Sequence, residues 1–219
     1  MTSAGTYGDF AWKVGRVYMG VPARLFTRAR AYGIERVPLE GGNVVAINHL
    51  HWIDIPLLGA LWPRTINYVA KIEALRFPLL GRFIRWHGTL GIRRGESDRE
   101  AVRLMRQAVR DGRALGVFVE GTRQRGGRPG KAQPGAAMVA IQEEVTVVPV
   151  AIYGTQFWKI GNFAPCSIAV GHPIDFSALP KNGRGYREAT AEIEHTIHRL
   201  FDWLAEIHAQ GRPRGVMPP

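Results

Sequence analysis

Cysteine and long apolar runs are almost absent from this sequence. Cys166 is the one cysteine among 219 residues, which excludes an intramolecular disulfide and favours a reducing compartment. No window of about 18 apolar residues occurs, so no membrane-spanning helix is predicted. The first ten residues carry no basic segment followed by an apolar one, and we therefore expect no targeting peptide. Repeats and low-complexity linkers are also lacking, and the length suits a single domain.

Acidic residues are scarce relative to basic ones. The chain has 18 Asp and Glu against 29 Lys and Arg, which gives a net charge of +11. Such a charge predicts an anionic partner, and nucleic acid, an anionic bilayer and a phosphorylated substrate all qualify. No nucleic-acid-binding motif occurs, and aromatic residues are not interleaved with the arginines as they are in single-strand binders. We therefore expect a membrane surface or a phosphorylated substrate as partner, and no nucleic acid.

Three common catalytic motifs are missing. There is no GxSxG turn for a nucleophilic serine, and the segment GGRPGKA lacks the spacing and the Ser or Thr of a phosphate-binding P-loop. His195 and His198 lie on a predicted helix without the HExxH pattern of zinc proteases. His49, His51 and Asp54 leave metal binding open as a rival chemistry, although zinc sites usually show more strongly spaced sets of ligands. Metal binding is therefore the less favoured interpretation of these residues.

Residues 10–30 have the apolar spacing of an amphipathic helix, which Pro22 should kink or divide. Two interpretations are open. The helix packs on the protein core, or it lies in a bilayer interface with Arg24 and Arg28 on lipid phosphates. On the second interpretation, residues 1–35 form an N-terminal amphipathic segment at the membrane surface, and residues 36–219 form the main domain.

The rest of the chain alternates short apolar strands with helices. The predicted strands are residues 43–47, 65–70, 115–119, 146–152 and 167–170, and the predicted helices are residues 52–61, 97–112, 135–141 and 186–208. This alternation predicts a single layered α/β domain with a mixed, largely parallel sheet flanked by helices. Ligands of such sheets bind beyond the carboxyl ends of the strands, and two polar clusters follow predicted strands at such ends.

The first polar cluster is the segment NHLHWID, which follows the strand at residues 43–47. A strand-to-helix turn separates His49 from Asp54 and can bring the carboxylate to one ring nitrogen. That contact would fix the imidazole tautomer and support the imidazolium, as a general base requires. The alternative is a structural histidine with a surface carboxylate, and the pair alone does not decide between the two.

The second polar cluster is the segment FVEGTR, which places Glu120 and Arg123 on a tight turn after the strand at residues 115–119. Gly121 permits close approach of the backbone, and Arg123 can bind a phosphate through two hydrogen bonds. Alternatively, the glutamate and the arginine only brace the loop.

Taken in order, the motifs of this chain resemble those of the glycerolipid acyltransferase family that contains 1-acyl-glycerol-3-phosphate acyltransferase. NHLHWID matches the family's Asn-His-x4-Asp block, GTLGIRRG its second block, FVEGTR its Glu-Gly-Thr-Arg block and VVPVAIYGT its fourth block. Between the first two blocks, KIEALRFPLLG carries the family's Lys, Glu, Pro and Gly spacing. The similarity runs from about residue 41 to residue 173.

The resemblance implies a role for each matching residue. His49 would be the base and Asp54 its orienting partner. The residues that would bind the substrate's phosphate or shape its pocket are Lys71, Arg94, Glu120, Gly121, Thr122 and Arg123. The accessory candidates are Asn48, His51, Arg93 and Lys131.

Three positions depart from the family pattern. Val119 stands in place of the usual Pro, and Gln133 in place of a common Lys, with Lys131 nearby. His51 stands where Ser or Thr is common, so it either joins the site or packs beside Trp52.

The resemblance further implies an O-acyltransferase of phospholipid biosynthesis. Such an enzyme moves a fatty acyl group from acyl-CoA or acyl carrier protein to the free hydroxyl of 1-acyl-glycerol-3-phosphate, giving phosphatidic acid. No metal, no cofactor and no covalent acyl-enzyme are implied, and the location is peripheral, on the cytoplasmic face of the cell membrane. Backbone amides near Asn48 or Gly121 are candidates to stabilise the oxyanion.

Two alternatives remain open. One is the same chemistry on another lysophospholipid or on a phosphorylated glycolipid. The other is a non-catalytic basic module that binds membrane or nucleic acid.

Overall fold

A computed structural model describes residues 14, 15, 17, 20–71, 90–92 and 98–219, with only the backbone described at residues 69–71, 90–92 and 98–100. These residues form a seven-stranded sheet. Its strands are β1 (Arg30–Tyr32), β2 (Asn43–Ile47), β3 (Ile66–Lys71), β4 (Leu90–Ile92), β5 (Ala114–Phe118), β6 (Val147–Tyr153) and β7 (Ser167–Val170).

Helices connect and cover the strands. They are α1 (Val21–Phe26), α2 (Asp54–Leu61), α3 (Asp98–Arg110), α4 (Gly135–Glu143) and α5 (Gly183–Ala209), with short 3-10 helices at Ile34–Arg36 and Thr155–Phe157. Among the described residues, no helix has the length and apolar character that crossing a bilayer requires.

The sheet has the order β1-β7-β6-β2-β5-β3-β4. Neighbouring strands are parallel except for β6 and β7, which are antiparallel. The predicted fold class, a single α/β domain with a mixed and mostly parallel sheet, is therefore confirmed. Because β2, β5 and β6 are parallel, they all end at one side of the sheet, which we call the carboxyl edge.

The core lies on both faces of the sheet. Val44 and Ala46 of β2 pack in the cluster that includes α3, α4 and α5, whereas Val45 and Ile47 pack in the cluster that includes α2. Every residue of β2 is buried. Burial on both faces explains why this strand is a continuous apolar run in the sequence rather than an alternating one.

The predicted helix over residues 10–30 is wrong at its C-terminal end. Helix α1 ends at Phe26, where the Thr27 hydroxyl and amide both donate to the Ala23 carbonyl and Arg28 adopts a positive φ of 46°. The chain then forms β1, which pairs with β7. The sheet thus includes residues that the sequence analysis assigned to the separate N-terminal segment. Residues 10–13 lie outside the described residues.

Two short strands and one helix start were not predicted. Strands β1 and β4 have three residues each, too few to show an alternating pattern. Helix α5 begins at Gly183 rather than residue 186, because the Asn182 side chain caps it by accepting hydrogen bonds from the amides of Arg184 and Gly185. Residue 97, where the sequence predicts the start of the helix over residues 97–112, lies outside the described residues.

Candidate active site

Asn48 ends β2 by joining it to β6 through its side chain. The last backbone pair between these strands in the register is Ile47 with Val150. Beyond it, the Asn48 amide oxygen accepts from the Ile152 amide at 2.7 Å and its nitrogen donates to the Ile152 carbonyl at 3.1 Å. The side chain thus takes the place of a backbone pair, and the main chain turns away at His49. Asn48 is completely buried, so a positioning role fits it better than substrate contact.

Asp54 holds the turn that follows. It is the first residue of α2, and its Oδ2 atom accepts hydrogen bonds from the amides of Leu50 and His51, both at 2.8 Å. The same oxygen lies 2.8 Å from Nδ1 of His49. The carboxylate is fully buried, and its position at a helix N-terminus favours negative charge. The structure therefore brings together the two residues whose spacing suggested a base and its orienting partner.

The His49 imidazole is fixed on one face and open on another. Its ring stacks on Phe118 with centroids 4.0 Å apart, and 16% of the side chain remains exposed. Because Nδ1 is held by Asp54, the tautomer that donates from Nδ1 leaves Nε2 with a free lone pair. Such an imidazole can accept a proton from a hydroxyl group.

Glu120 braces the loop that carries His49. One carboxylate oxygen accepts from the His49 amide at 3.0 Å and the other from the Gly130 amide at 3.4 Å. The residue is only 6% exposed, and this burial raises the pKa of Glu120 to about 7 against the opposing effect of these hydrogen bonds. Glu120 thus joins two loops at the carboxyl edge, as the bracing interpretation suggested.

The Gly121–Arg123 turn presents its residues to solvent next to His49. Gly121 has a positive φ of 70°, and its amide donates to the Phe118 carbonyl at 3.0 Å. Gln124 follows the turn, and its amide donates a hydrogen bond to the His49 carbonyl at 2.8 Å. Arg123 directly precedes the residue that is hydrogen-bonded to His49. The side chains of Thr122 and Arg123 are both exposed.

Lys131 lies on the second of the two loops that Glu120 joins, next to Gly130. Its side chain is exposed, while the amides on either side of it are held by Glu120 at Gly130 and by Glu194 at Ala132. A cation at this position is available to an anionic ligand at the carboxyl edge.

His51 faces an aromatic group rather than His49. Its ring lies 5.6 Å from the Trp52 ring and 5.9 Å from the Trp158 ring. Burial lowers the pKa of His51, and Arg123 lowers it further, against the opposing effect of Asp54. Of the two expectations for this residue, packing beside Trp52 describes its position.

Two predicted phosphate ligands, Lys71 and Arg94, and the accessory candidate Arg93 lie partly or wholly outside the described residues. Lys71 is the last residue of β3 and pairs with Ile92, the last residue of β4, but its side chain lies outside the described residues. Arg93 and Arg94 also lie outside the described residues. Their roles stay predictions.

Two of the chemical expectations can be compared with the geometry. The Gly121 amide donates to Phe118 and the His49 amide to Glu120, so these two amides are already engaged, and an oxyanion donor near Asn48 or Gly121 stays a prediction. Among the described residues, no group of three or more His, Cys, Asp and Glu side chains could hold a metal ion. The absence of a metal and a cofactor stays a prediction.

Two aromatic residues of the site were missed by the sequence analysis. Phe118 supports the His49 ring, and the Tyr68 ring lies nearly parallel to Phe118 at 5.9 Å. Burial raises the pKa of the Tyr68 hydroxyl well above its usual value, so it stays protonated. The signal for Phe118 was its register: it is the last residue of β5 and pairs with Ile47, the last residue of β2.

Comparison with known proteins finds similarity to acyltransferases. A 1-acyl-sn-glycerol-3-phosphate acyltransferase of Bacillus subtilis is 27% identical over 183 residues, which cover 81% of this chain and 90% of that protein. A lyso-ornithine lipid O-acyltransferase of Pseudomonas aeruginosa is 42% identical over 107 residues, 48% of this chain, but the match covers only 40% of that protein's length.

A solved structure shares the fold. The 1-acyl-sn-glycerophosphate acyltransferase of Thermotoga maritima superposes with a TM-score of 0.73 over 89% of this chain and 79% of that one, at 24% identity. The family model described as Acyltransferase matches residues 28–153, which is more than half of the chain. The resemblance and the enzyme class predicted from the motifs are confirmed, and this chain belongs to the acyltransferase family.

Proposed function

We propose that this acyltransferase moves a fatty acyl group from acyl-CoA or acyl carrier protein to the free hydroxyl of 1-acyl-glycerol-3-phosphate, giving phosphatidic acid for phospholipid biosynthesis. The observation that carries the proposal is the 2.8 Å contact between His49 Nδ1 and the buried Asp54 carboxylate beside a partly exposed imidazole. The activity named for the Bacillus subtilis relative, whose length this chain nearly spans, supports the choice of acceptor.

In the proposed reaction, His49 acts as general base. Its Nε2 atom removes the proton from the acceptor hydroxyl while that oxygen attacks the thioester carbonyl. The tetrahedral intermediate then collapses, the carbon–sulfur bond breaks, and the imidazolium returns its proton to the leaving thiolate. Asp54 stabilises the imidazolium and keeps Nε2 pointed at the acceptor, and general base catalysis of this kind contributes about 10²–10⁴-fold in rate.

The acceptor's phosphate would be held by cations around the same edge. Arg123 is the best placed of them, because the Gln124 amide that follows it is bonded to the His49 carbonyl. Lys71 and Arg94 are the further ligands that the motifs suggest, and Gly121 and Thr122 line the same turn. Holding the acceptor in line with the base can lower the barrier by up to about 7–11 kcal/mol, so this clamp would affect rate as well as affinity.

The proposed location is peripheral, on the cytoplasmic face of the cell membrane, with an anionic bilayer surface as partner. The described part of the N-terminal segment supports this placement. In α1, Ala23 packs on the core but the larger side chains of Val21 and Leu25 are exposed, so most of the apolar surface of the helix faces away from the core. Arg24 and Arg28 are exposed on the same segment. Of the two interpretations of this helix, the interfacial one agrees better with these exposures.

A direct assay tests the proposal. Purified protein is mixed with lysophosphatidate and acyl-CoA of several chain lengths, and phosphatidic acid is measured by mass spectrometry. We expect the His49→Ala variant to lose acyl transfer and keep its fold. His172→Ala is the matched control, because His172 is an exposed histidine that follows β7 at the opposite edge of the sheet, and it should retain full turnover. Near-normal turnover by His49→Ala would end the base assignment.

A second acceptor has an observation in its favour. The lyso-ornithine lipid acyltransferase of Pseudomonas aeruginosa has the higher identity over its matched region, 42%. The ornithine headgroup presents a carboxylate and an ammonium group instead of a phosphate. The same assay with lyso-ornithine lipid as acceptor separates the two, and preferred turnover of that lipid would reject lysophosphatidate as the substrate.

The phosphate clamp has its own test. Arg123→Gln should lower kcat/KM for lysophosphatidate by roughly 10- to 100-fold, because a charge-assisted hydrogen bond is lost. Arg125→Gln is the control, since Arg125 is exposed on the same loop two residues later. An equal loss for Arg123→Gln on a phosphate-free acceptor would contradict the clamp.

A further inference from the structure

Exposed apolar side chains gather at the carboxyl edge. Of the eleven large hydrophobic residues that are exposed in the described part of the chain, all but Leu39 and Met217 belong to three segments that reach this edge. They are Val17, Val21, Leu25 and Phe26 before β1, Trp52 and Ile55 at the start of α2, and Phe157, Ile160 and Phe163 between β6 and β7.

The topology explains why these segments meet. Strand β6 runs parallel to β2, so the loop after Tyr153 starts at the same edge as His49. Strand β7 is antiparallel to β6, so its first residue, Ser167, lies at that edge and pairs with Arg30, the first residue of β1. The C-terminal end of helix α1, which directly precedes β1, is thereby brought to the carboxyl edge as well.

Direct contacts join the three segments into one surface. The Phe26 and Phe163 rings stack with centroids 5.5 Å apart, and the Trp158 indole donates to the Phe26 carbonyl at 3.1 Å. Trp158 also meets the Trp52 ring edge to face at 5.6 Å. We call the exposed side chains of Phe26, Trp52, Phe157, Ile160 and Phe163 the edge patch.

The loop that carries most of the edge patch is ordered by its own hydrogen bonds. The Asn162 side chain accepts from the amides of Lys159 and Ala164 at 3.0 and 3.1 Å, and it donates to the Phe157 carbonyl at 2.8 Å. The loop is thus a built structure that presents Ile160 with 89% of its surface exposed. A cluster of large, solvent-exposed apolar side chains is typical of a surface that binds another protein or a membrane.

The charges around the edge patch indicate which partner it binds. Arg24, Arg28, Arg123 and Lys159 are exposed in the segments that form or border it. Residues 14–28, 50–58, 121–131 and 154–166 contain one acidic residue, Asp54, and it is fully buried. Apolar side chains bordered by exposed cations, in segments whose one carboxylate is buried, complement the interface of an anionic bilayer.

We propose that the loop between β6 and β7 is a second membrane anchor beside the N-terminal segment, and that it inserts Phe157, Ile160 and Phe163 into the interface of an anionic bilayer. This inference rests on the proposed function, because its purpose is to turn the carboxyl edge toward a lipid acceptor. Trp158 links the anchor to the site through its contact with the His51 ring. An acceptor lipid can then present its hydroxyl to His49 without leaving the bilayer.

Vesicle binding tests the anchor. The full chain is mixed with vesicles of phosphatidylcholine and phosphatidylglycerol in equal parts, and the bound fraction is measured by flotation. Ile160→Asp should weaken partitioning at least about tenfold, because an apolar side chain leaves the interface and a negative charge approaches anionic lipid. Leu39→Asp is the matched control: Leu39 is 66% exposed but precedes β2, at the opposite edge, and its substitution should leave binding within about twofold. Unchanged binding of Ile160→Asp would overturn the proposal.

Site-directed labelling identifies the occupant. Cys166 is the one native cysteine, it is buried, and burial raises the pKa of its thiol to about 12, so it reacts poorly with thiol reagents. An environment-sensitive fluorophore at Ile160→Cys should shift its emission to the blue on addition of these vesicles, and one at Leu39→Cys should not. A shift at Ile160→Cys with acyl-CoA or acyl carrier protein alone, and none with vesicles, would assign the edge patch to the donor and reject the bilayer.

Turnover in two media separates this inference from the proposed function. Ile160→Asp should match the unmodified protein on lysophosphatidate dispersed in detergent and lose activity on the same lipid in vesicles. If Ile160→Asp and the unmodified protein were equally active in vesicles as well as in detergent, the anchor would be contradicted. If the unmodified protein transfers no acyl group to any acceptor, the proposed function fails, while the flotation and labelling results still decide the anchor.

Discussion

Three donors converge on a single oxygen atom of Asp54. The amides of Leu50 and His51 and the Nδ1 atom of His49 all lie 2.8 Å from Oδ2. The first two contacts shape the turn, and the third orients the imidazole. Structure and the proposed chemistry therefore depend on the same atom, and a variant is needed that separates them.

Asp54→Asn makes that separation. The amide oxygen can still accept from the two backbone donors, but the negative charge that would stabilise the His49 imidazolium is gone. We expect kcat to fall by about 10²–10⁴-fold while the melting temperature changes little. Asp175→Asn is a suitable control, because Asp175 also accepts from a backbone amide, that of Ser177, in an exposed turn. A kcat for Asp54→Asn within a few-fold of the unmodified protein would remove Asp54 from the mechanism.

Glu120 gives a prediction about pH. Its pKa is raised from 4.5 to about 7, so the Glu120 carboxyl binds a proton more tightly in the folded protein than in the unfolded chain. The stability that this contributes is present below about pH 4.5 and is lost as the pH rises through about 7. Between about pH 5 and pH 8, the unmodified protein should lose about 2–3 kcal/mol of unfolding free energy relative to Glu120→Gln. Urea titrations at both pH values measure the difference, and parallel pH profiles would refute it.

At this scale, the sequence predicted contacts that are local and missed those that are not. His49 and Asp54 are joined by a short turn, so their spacing was enough to predict the contact. The Glu120 contact with Gly130 and the Phe118 ring under His49 depend on how distant segments meet, and no local pattern encodes that. The Asn48 side chain was an accessory candidate, but its bond to β6 could not be predicted without the strand order.

Among the elements, β5 shows how a glycine makes room for the site. Gly116 is paired with Tyr68 of β3, and a Cβ atom built on it would lie 2.8 Å from Cδ1 of Tyr68 and 2.6 Å from Cγ2 of Ile66. The absence of a side chain here lets the Tyr68 ring lie below Phe118, which in turn supports His49.

Gly116→Ala should therefore destabilise the protein by about 1–3 kcal/mol, because the added methyl overpacks a buried contact. Urea unfolding measures the loss. Gly126→Ala is the control, since a Cβ atom there meets nothing within 4 Å. Stability of Gly116→Ala equal to that of the control would show that Tyr68 and Ile66 move aside freely.

Helix α5 offers a prediction at its first turn. The Asn182 side chain accepts hydrogen bonds from the amides of Arg184 and Gly185, which have no partner within the helix. Asn182→Ala should lower the free energy of unfolding by about 1 kcal/mol, whereas Asn182→Asp should keep both hydrogen bonds and the stability. Thermal unfolding of the two variants side by side checks this, and equal melting temperatures would argue against the cap.

The elements that the sequence predicted well are those with several apolar residues in a row or on one face. β2, β6 and the main part of α5 were within a few residues of their observed bounds. Strands β1 and β4 were missed because three residues carry no periodic signal, and β1 also followed the pattern of the helix before it. The start of α5 was placed late because Gly183 and Gly185 are poor helix formers.

For the whole molecule, the net charge of +11 leads to a prediction about salt. Each Lys or Arg near an anionic surface contributes about 1 kcal/mol, and this attraction is screened beyond about 8 Å at physiological ionic strength. Partitioning onto phosphatidylglycerol vesicles should therefore fall at least about tenfold between low salt and about half-molar salt. Partitioning onto pure phosphatidylcholine should be weak and insensitive to salt. Equal binding to both lipids would show that the apolar residues act without the cations.

The overall fold class followed from the alternation of strands and helices, but the order of strands did not. The sequence places β1 and β7 far apart, and nothing local indicates that they pair. The exposure of the loop between β6 and β7 was equally hidden, because Phe157, Ile160 and Phe163 have the composition of a core segment. In the folded chain, these side chains point away from the core.

The pairing of β1 with β7 has a consequence for synthesis of the protein. A nascent chain leaves the ribosome from its N-terminus, yet in the described sheet β1 has β7 as its one neighbour. Strand β1 must therefore wait, unpaired, until residues 167–170 have emerged, and the apolar helix before it waits with it. Until then, this part of the chain is accessible to chaperones, and under the proposed membrane location it can contact the bilayer before the sheet is complete.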